Sequence, residues 1–142
     1  MRALLDVDVW VALFDDGHQF SARANAFIAT RGVKIAICPL VENVIRVMSL
    51  PSYGRHGGLS IQRVREQLRR ACAALAHVFW PDGISLRDDQ HVDFNRVPSH
   101  DQITDLYLLA LAVHRGGWLA SFDQGVSLSS VPGATARHLK ML

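Results

Sequence analysis

Apolar residues occur along this chain in short blocks separated by polar turns, and the block lengths match those of strands and helices. Five blocks predict strands, namely Ala3 to Val7, Val33 to Cys38, Val78 to Trp80, Trp118 to Phe122 and Thr135 to Leu139. Helical spacing predicts helices over Val9 to Phe14, Phe20 to Thr30, Pro39 to Met48, Ile61 to Ala76 and from near Asp105 to Val113. Because the elements alternate and the strands are apolar throughout, we expect an α/β fold with a mainly parallel sheet and helices on both faces.

Polar residues at the ends of the blocks predict where helices begin. Ser60 is the expected N-cap of the fourth helix. The fifth helix has two candidate starts, a capping box formed by Ser99 with Gln102, or Thr104 as the N-cap. Residues 84–97 are weakly patterned and predict only a short helix and a turn.

Composition narrows the class of protein. The chain has 142 residues, of which 49% are hydrophobic and 20% charged, so we expect one globular domain over residues 1–142 and exclude a disordered chain. The longest apolar run, Leu106 to Val113, is too short for a membrane span, and the amino terminus has no signal-peptide pattern. Cys38 and Cys72 lack CxxC spacing and read as buried thiols of a reducing compartment. We therefore expect a soluble cytoplasmic protein.

Charge is unevenly distributed, although the net charge is only +2 with histidines neutral. Acids dominate residues 82–93, whereas arginines crowd the middle of the chain, at Arg46, Arg55, Arg63, Arg65, Arg69 and Arg70. Such a basic face suits a polyanionic partner, but it also fits a solvated helix surface, and composition leaves both interpretations open.

Four carboxylates follow or open apolar elements. Asp6 and Asp123 stand where the first and fourth predicted strands end, and Glu42 lies in the first helical turn after the second strand. Asp105 heads the helix that leads back into the strand ending at Asp123. Because parallel strands end at one edge of the sheet, we expect Asp6, Glu42 and Asp123 to gather there. Each acid also has a simpler explanation, as an N-cap, a first-turn acid or a turn residue.

Carboxylates grouped in one crevice repel each other unless a cation binds between them. Oxygen donors of this kind suit one or two Mg²⁺ or Mn²⁺ ions with waters completing the coordination. Such ions lower the pKa of a bound water and neutralise a scissile phosphate, so phosphodiester hydrolysis is the natural use. The sequence contains no G-x-S-x-G, P-loop, GxGxxG or HExxH motif that would favour other chemistry.

Three segments together resemble the PIN-domain toxins of VapBC toxin–antitoxin pairs: LLDVDVWVAL (4–13), PLVENVIRVMS (39–49) and ITDLYLLALAVHRGGWLASFDQG (103–125). The resemblance implies a three-layer α/β/α sandwich and a Mg²⁺/Mn²⁺-dependent endoribonuclease. It also implies a homodimer, inhibited by a small VapB-like antitoxin. Carried over by position, the catalytic acids are Asp6, Glu42, Asp105 and Asp123, with Asp6, Asp105 and Asp123 as metal ligands. The family usually has Asn or Ser where this chain has Asp8.

Three further residues near these acids are candidates for contact with RNA or the antitoxin. Asn43 and Arg46 follow Glu42 on the same predicted helix, and Arg46 suits a phosphate or an acidic partner. Thr104 either orients Asp105 or caps its helix. An antitoxin groove is expected along residues 40–76.

Two other functions remain open at this level. Asp6-Val7-Asp8-Val9 also fits the D-x-D-x-[TV] start of haloacid-dehalogenase-like phosphatases, in which Asp6 would be the nucleophile. The chain lacks a GD-x-x-x-D motif, and neither of its lysines, Lys34 and Lys140, is well placed for that chemistry. The second alternative is a non-catalytic PIN-like binding module that keeps its acids for folding or partner contact.

Overall fold

The centre of the molecule is a sheet of five parallel strands. The computed structural model describes residues 1–142. The strand order is β3-β2-β1-β4-β5, and every neighbouring pair is parallel. The strands are β1 (Ala3–Leu5), β2 (Ile35–Ile37), β3 (His77–Phe79), β4 (Trp118–Ser121) and β5 (Leu139–Met141). The expected α/β fold with a parallel sheet is therefore confirmed.

Five α-helices connect and cover the strands: α1 (Val7–Phe14), α2 (Ser21–Ile28), α3 (Val44–Ser49), α4 (Ile61–Ala74) and α5 (Ile103–His114). Short 3₁₀ turns occupy Val41–Asn43, Phe94–Arg96, His100–Gln102, Leu128–Ser130 and Ala136–His138. No helix combines the length and the apolar character that crossing a bilayer requires.

Strand order and crossover handedness set the layers. The chain moves from β1 outward to β2 and β3, then returns across the sheet to β4 and β5. Right-handed crossovers therefore place α1 to α4 on one face and α5 on the other. The direction reverses between β1 and β4, and ligand sites of parallel sheets form outside the carboxyl ends of the strands at such a reversal.

The core is continuous from β1 into α5. Burial is complete or nearly so for Leu4, Leu5 and Trp10, and for every residue from 106 to 112. On the other face, the ring of Phe27 in α2 meets Trp118 edge-on, with 5.7 Å between centroids. These contacts pack β1 and β4 into the core, and candidate site residues follow both strands at their carboxyl ends.

Two element boundaries differ clearly from those expected. The helix expected to start at Pro39 begins only at Val44, because a 3₁₀ turn over Val41–Asn43 comes first. The last strand was expected over Thr135 to Leu139 and is instead Leu139–Met141. There, the Thr135 N–H donates to Nδ1 of His138 at 2.9 Å, and this local capping interaction makes the preceding residues a turn.

The caps were predicted with mixed success. The Ser60 hydroxyl accepts the Arg63 N–H at 3.1 Å, which confirms it as the N-cap of α4. The expected capping box at Ser99 is wrong, since the Ser99 side chain makes no capping bond. The side chain of Gln102 instead accepts the N–H of Ser127 at 3.3 Å. Thr104 lies inside α5 and does not cap it.

Candidate active site

Asp6 is the most firmly held of the candidate acids. It follows β1 directly and is the N-cap of α1, with its Oδ1 accepting the Val7 N–H at 2.6 Å. Its own backbone N–H donates to the Ala120 carbonyl of β4 at 3.0 Å. Its side chain is buried, with 6% of the residue exposed. The simpler role of cap and the role of site residue are therefore combined in one side chain.

Ser121 joins two of the candidate acids. Its hydroxyl donates to Oδ2 of Asp6 at 3.0 Å and accepts the backbone N–H of Asp123 at 3.0 Å. The residue is completely buried at the end of β4. Sequence reasoning missed it, although a serine inside an apolar strand two residues before a candidate acid was an available signal.

Asp123 and Asp105 are electrostatic neighbours of Asp6. Asp123 is exposed and its Oδ1 accepts the Gly125 N–H at 2.7 Å, which fixes the turn after β4. The side chain and the negative charge of Asp123 both contribute to raising the pKa of Asp105, so the two carboxyls lie close to each other.

Electrostatics ties four aspartates into one cluster. Burial, the charge of Asp6 and the hydrogen bond and charge of Asp123 raise the pKa of Asp105 from 3.8 to about 7, and Asp8 adds to the shift. Burial and the charge of Asp8 raise the pKa of Asp6, and the hydrogen bonds from Ser121 and Val7 oppose that rise. The cluster thus carries more negative charge than its surroundings balance.

Glu42 has a different charged neighbour from the four clustered aspartates. It sits in the 3₁₀ turn after β2, and burial followed by the charge of Asp82 raises its pKa. Since β2 adjoins β1, Glu42 stands one strand away from Asp6 along the sheet edge. Asp82, which no motif in the sequence marks as a candidate, follows β3. The structure thus brings Asp6, Asp105 and Asp123 together with Asp8, and places Glu42 beside Asp82.

The donor set fits a hard dication. All four clustered groups are aspartate oxygens, which Mg²⁺ and Mn²⁺ prefer over the nitrogen and sulfur ligands of softer metals. In this structure no group of three or more His, Cys, Asp or Glu side chains is arranged so that it could hold a metal ion. Mg²⁺ is typically held by one or two carboxylates while water and substrate phosphate supply the other ligands, so a ready-made cage is not required.

Comparison with known proteins identifies the family. No family model matches the sequence. Ribonuclease VapC44 of Mycobacterium tuberculosis (strains CDC 1551 / Oshkosh and ATCC 25618 / H37Rv) is 42% identical over 100% of both chains. Ribonuclease VapC38 of Mycobacterium tuberculosis (strain ATCC 25618 / H37Rv) is 38% identical, covering 87% of this chain and 86% of its own. The chain belongs to the VapC ribonuclease family.

A solved structure shares the fold of this chain. The chain is similar to the crystal structure of VapBC2 from Rickettsia felis bound to a DNA fragment from their promoter, with a TM-score of 0.60. The match covers 100% of this chain and 99% of that one at 14% sequence identity. At this identity the likeness concerns the fold alone. The three-layer α/β/α sandwich implied by the sequence motifs is therefore confirmed.

The remaining candidates of this VapC-family chain are exposed at the surface. Asn43 and Arg46 are exposed, and Arg46 makes no ion pair. Thr104 is exposed immediately before Asp105 and lines a pocket of about 400 Å³ with Leu40, Asp82, Ile84, Leu86, Ile103 and Tyr107. These positions are accessible to a large ligand, and their roles stay predictions.

Proposed function

We propose that this VapC-family chain is a Mg²⁺- or Mn²⁺-dependent endoribonuclease and the toxin of a toxin–antitoxin pair, with Asp6, Glu42, Asp105 and Asp123 as its catalytic carboxylates. The observation that supports this most strongly is the convergence of Asp6, Asp105 and Asp123 where the strand order reverses. Membership of a ribonuclease family makes RNA the expected substrate.

In this proposal Asp6, Asp105 and Asp123 hold the dication. When bound, it supplies positive charge at the scissile phosphate and lowers the pKa of an attacking water. The hydrogen bonds from Ser121 and Val7 keep the Asp6 carboxylate oriented without rearrangement. A nearby dication would favour the charged form of Asp105 and so oppose the rise in the pKa of that carboxyl. Glu42, one strand away, suits contact through water or with the substrate's ribose and phosphate.

The proposed partners follow from the family. We infer a VapB-like antitoxin, since the structurally similar protein is one component of a VapBC complex. We also infer a homodimer. Both cysteines are unpaired, which agrees with the reducing cytoplasm as the place of action. Co-expression with the product of an adjacent short reading frame, followed by co-purification, tests the antitoxin directly.

The nuclease proposal is tested with total cellular RNA and mapping of the new ends. Asp6→Asn and Asp105→Asn are expected to abolish cleavage and growth arrest while the far-ultraviolet circular dichroism spectrum persists. Asp89→Asn removes an exposed acid outside the cluster and is the matched control. Chelation is expected to stop cleavage, and Mg²⁺ or Mn²⁺ to restore it. Full activity in excess chelator, or in both cluster variants, contradicts the proposal.

The phosphatase alternative has little structural support. It needs a lysine near Asp6, yet Lys34 precedes β2 at the opposite edge of the sheet. The ammonium group of Lys140 lies over the rings of Phe27 and Trp118, at 5.4 and 5.9 Å from their centroids. Trapping a phosphoaspartate at Asp6 is the result that would favour it.

A further inference from the structure

A second pocket lies beside Glu42, between the outer strands and the helices that cover them. It has a volume of about 330 Å³ and spans the side chains of β2, β3, α3 and α4. Its polar lining consists of Glu42, Arg65, Arg69 and His77, and its apolar lining includes Cys72 and Phe79. We call it the α4 pocket. Because Glu42 lines it, the pocket opens next to the proposed catalytic edge.

The most unusual member is Phe79. It ends β3, the strand at the edge of the sheet, and 52% of its surface is exposed. Its ring takes part in none of the aromatic or cation–π pairs of the structure. Exposure of so large an apolar ring costs free energy that packing elsewhere would recover. A free aromatic face of this kind is a stacking surface for another planar group.

Two arginines stand on the helix that borders this ring. Arg65 and Arg69 are four residues apart, so they project from the same face of α4. Arg65 makes no ion pair, and Arg69 makes only an exposed one with Glu66, at 3.0 Å. Exposed pairs of this type contribute little, so both guanidinium groups are available to an anion.

We propose that the α4 pocket is a nucleotide-binding subsite for the RNA strand that the acids cleave, with a base stacked on Phe79 and backbone phosphates paired with Arg65 and Arg69. This inference rests on the proposed function for its substrate. Strand β3 is two positions from β1, about 10 Å at ordinary strand spacing. One RNA strand therefore reaches both the pocket and the cluster around Asp6.

Charge and shape favour RNA over a peptide as the occupant. Sequence-tolerant grooves for single-stranded nucleic acid combine an aromatic platform with arginines that follow the backbone, and the α4 pocket has both. An amphipathic helix needs a continuous apolar surface instead. Here arginine, histidine and glutamate interrupt the apolar lining.

The test measures binding without cleavage, by fluorescence anisotropy of labelled oligouridylate and oligoadenylate in chelator. Phe79→Leu is expected to weaken binding of both by about fivefold to a hundredfold, and Phe79→Trp to retain it. Phe94→Leu removes another exposed aromatic ring outside the pocket and is the control. Arg65→Gln is expected to reduce the slope of log K against log salt by about 0.7, whereas Arg63→Gln, outside the pocket on the same helix, changes it less.

Steady-state kinetics on a cleaved RNA separates binding from chemistry. We expect Phe79→Leu and Arg65→Gln to raise KM with little change in kcat, because both residues lie outside the acid cluster. Unchanged RNA affinity in both variants overturns the proposal. Weakened binding of a co-expressed antitoxin with unchanged RNA affinity also overturns it and assigns the pocket to a protein. A third outcome separates the two proposals. If the wild-type protein cleaves no RNA but binds it, and this binding weakens in Phe79→Leu and Arg65→Gln, the subsite is supported and the proposed nuclease activity is contradicted.

Discussion

The hydroxyl of Ser121 donates to the carboxylate of Asp6 at 3.0 Å across the neighbouring strands β1 and β4. The same hydroxyl accepts the N–H of Asp123 at 3.0 Å. One small side chain thus fixes two acids that lie far apart in the sequence. Because Ser121 is completely buried, no water replaces it freely, and the geometry of the cluster depends on its presence.

Ser121→Ala is expected to weaken metal binding. It removes a hydrogen bond that lowers the pKa of Asp6, so that pKa rises further and the carboxylate loses its orientation. Loss of such a supporting bond commonly costs ten- to a hundredfold in metal affinity or activity, and we expect about that increase in the Mg²⁺ concentration for half-maximal cleavage. Ser121→Thr keeps the hydroxyl and is expected to restore part of the effect.

The control for this experiment is Ser130→Ala. Ser130 is also fully buried, and its hydroxyl donates to the Arg96 carbonyl at 2.7 Å, away from the acids. Both alanine variants are expected to lower the free energy of unfolding by about 1–3 kcal/mol. An equal effect of the two variants on the metal requirement would show that Ser121 acts through stability alone.

The raised pKa of Asp105 predicts how stability depends on pH in the absence of metal. Between its ordinary value of 3.8 and its folded value of about 7, the folded protein keeps a proton that the unfolded chain has lost. Stability linked to this group is therefore fully present below 3.8 and is lost as the pH rises through about 7. In chelator, we therefore expect the urea midpoint of the wild type to decrease, relative to that of Asp105→Asn, as the pH rises from 3.8 to about 7.

The measurement compares urea unfolding of both proteins at about pH 5 and about pH 8. Asp89→Asn supplies a variant with the same chemical change outside the cluster. Addition of Mn²⁺ at the higher pH is expected to stabilise the wild type more than Asp105→Asn, because the ion binds the folded carboxylates. A constant difference between wild type and Asp105→Asn over the whole pH range would contradict the predicted coupling.

Asp8 contributes charge to the cluster from an exposed position on α1. Its negative charge raises the pKa of both Asp6 and Asp105. Asp8→Asn is therefore expected to lower both pKa values, which carboxyl-carbon titration by nuclear magnetic resonance measures in the metal-free protein. Asp16→Asn, an exposed acid just beyond the same helix, is the control. If Asp105 titrates identically in the wild type and in Asp8→Asn, the charge of Asp8 does not act on Asp105 and the prediction is wrong.

Much of this architecture was predictable because buried strands have uninterrupted apolar sequences. The residues of β1 and β2 are wholly buried, and both strands fall inside the predicted ranges. At the edge strand β3, the apolar pattern predicted the wrong boundaries, Val78 to Trp80 instead of His77–Phe79. Trp80 is buried but lies outside β3, whereas His77 is exposed and lies within it. An apolar block reports burial, and at a sheet edge burial and strand pairing no longer coincide.

The site was predictable only in part, for a related reason. Asp6, Asp105 and Asp123 stand at the ends of apolar elements, so the topology rules bring them to one edge. Ser121 and Asp82 were missed because their importance lies in contacts with residues distant in sequence. The Tyr107 hydroxyl shows the same dependence, since it donates to the Ile84 carbonyl at 3.4 Å in a segment with no clear pattern.

The pair Gly116-Gly117, which ends α5, predicts two substitutions with different costs. Gly116 has a φ of 68°, and a Cβ there would meet nothing within 4 Å. Gly116→Ala is therefore expected to lower the free energy of unfolding by about 1 kcal/mol through backbone strain alone. A Cβ on Gly117 would lie 2.5 Å from the Trp80 ring and 2.6 Å from the Arg2 carbonyl.

Gly117→Ala is expected to be the more damaging of the two substitutions. It should lower the free energy of unfolding by about 3 kcal/mol or more, because Trp80 and the Arg2 backbone must both move. Gly117 donates its N–H to the Ala112 carbonyl at 2.8 Å, so the turn itself resists displacement. Since the turn leads straight into β4, the shift would reach Ser121 and the acids. Urea unfolding of the two variants measures the difference, and equal costs would show that Trp80 yields without disturbing the strand.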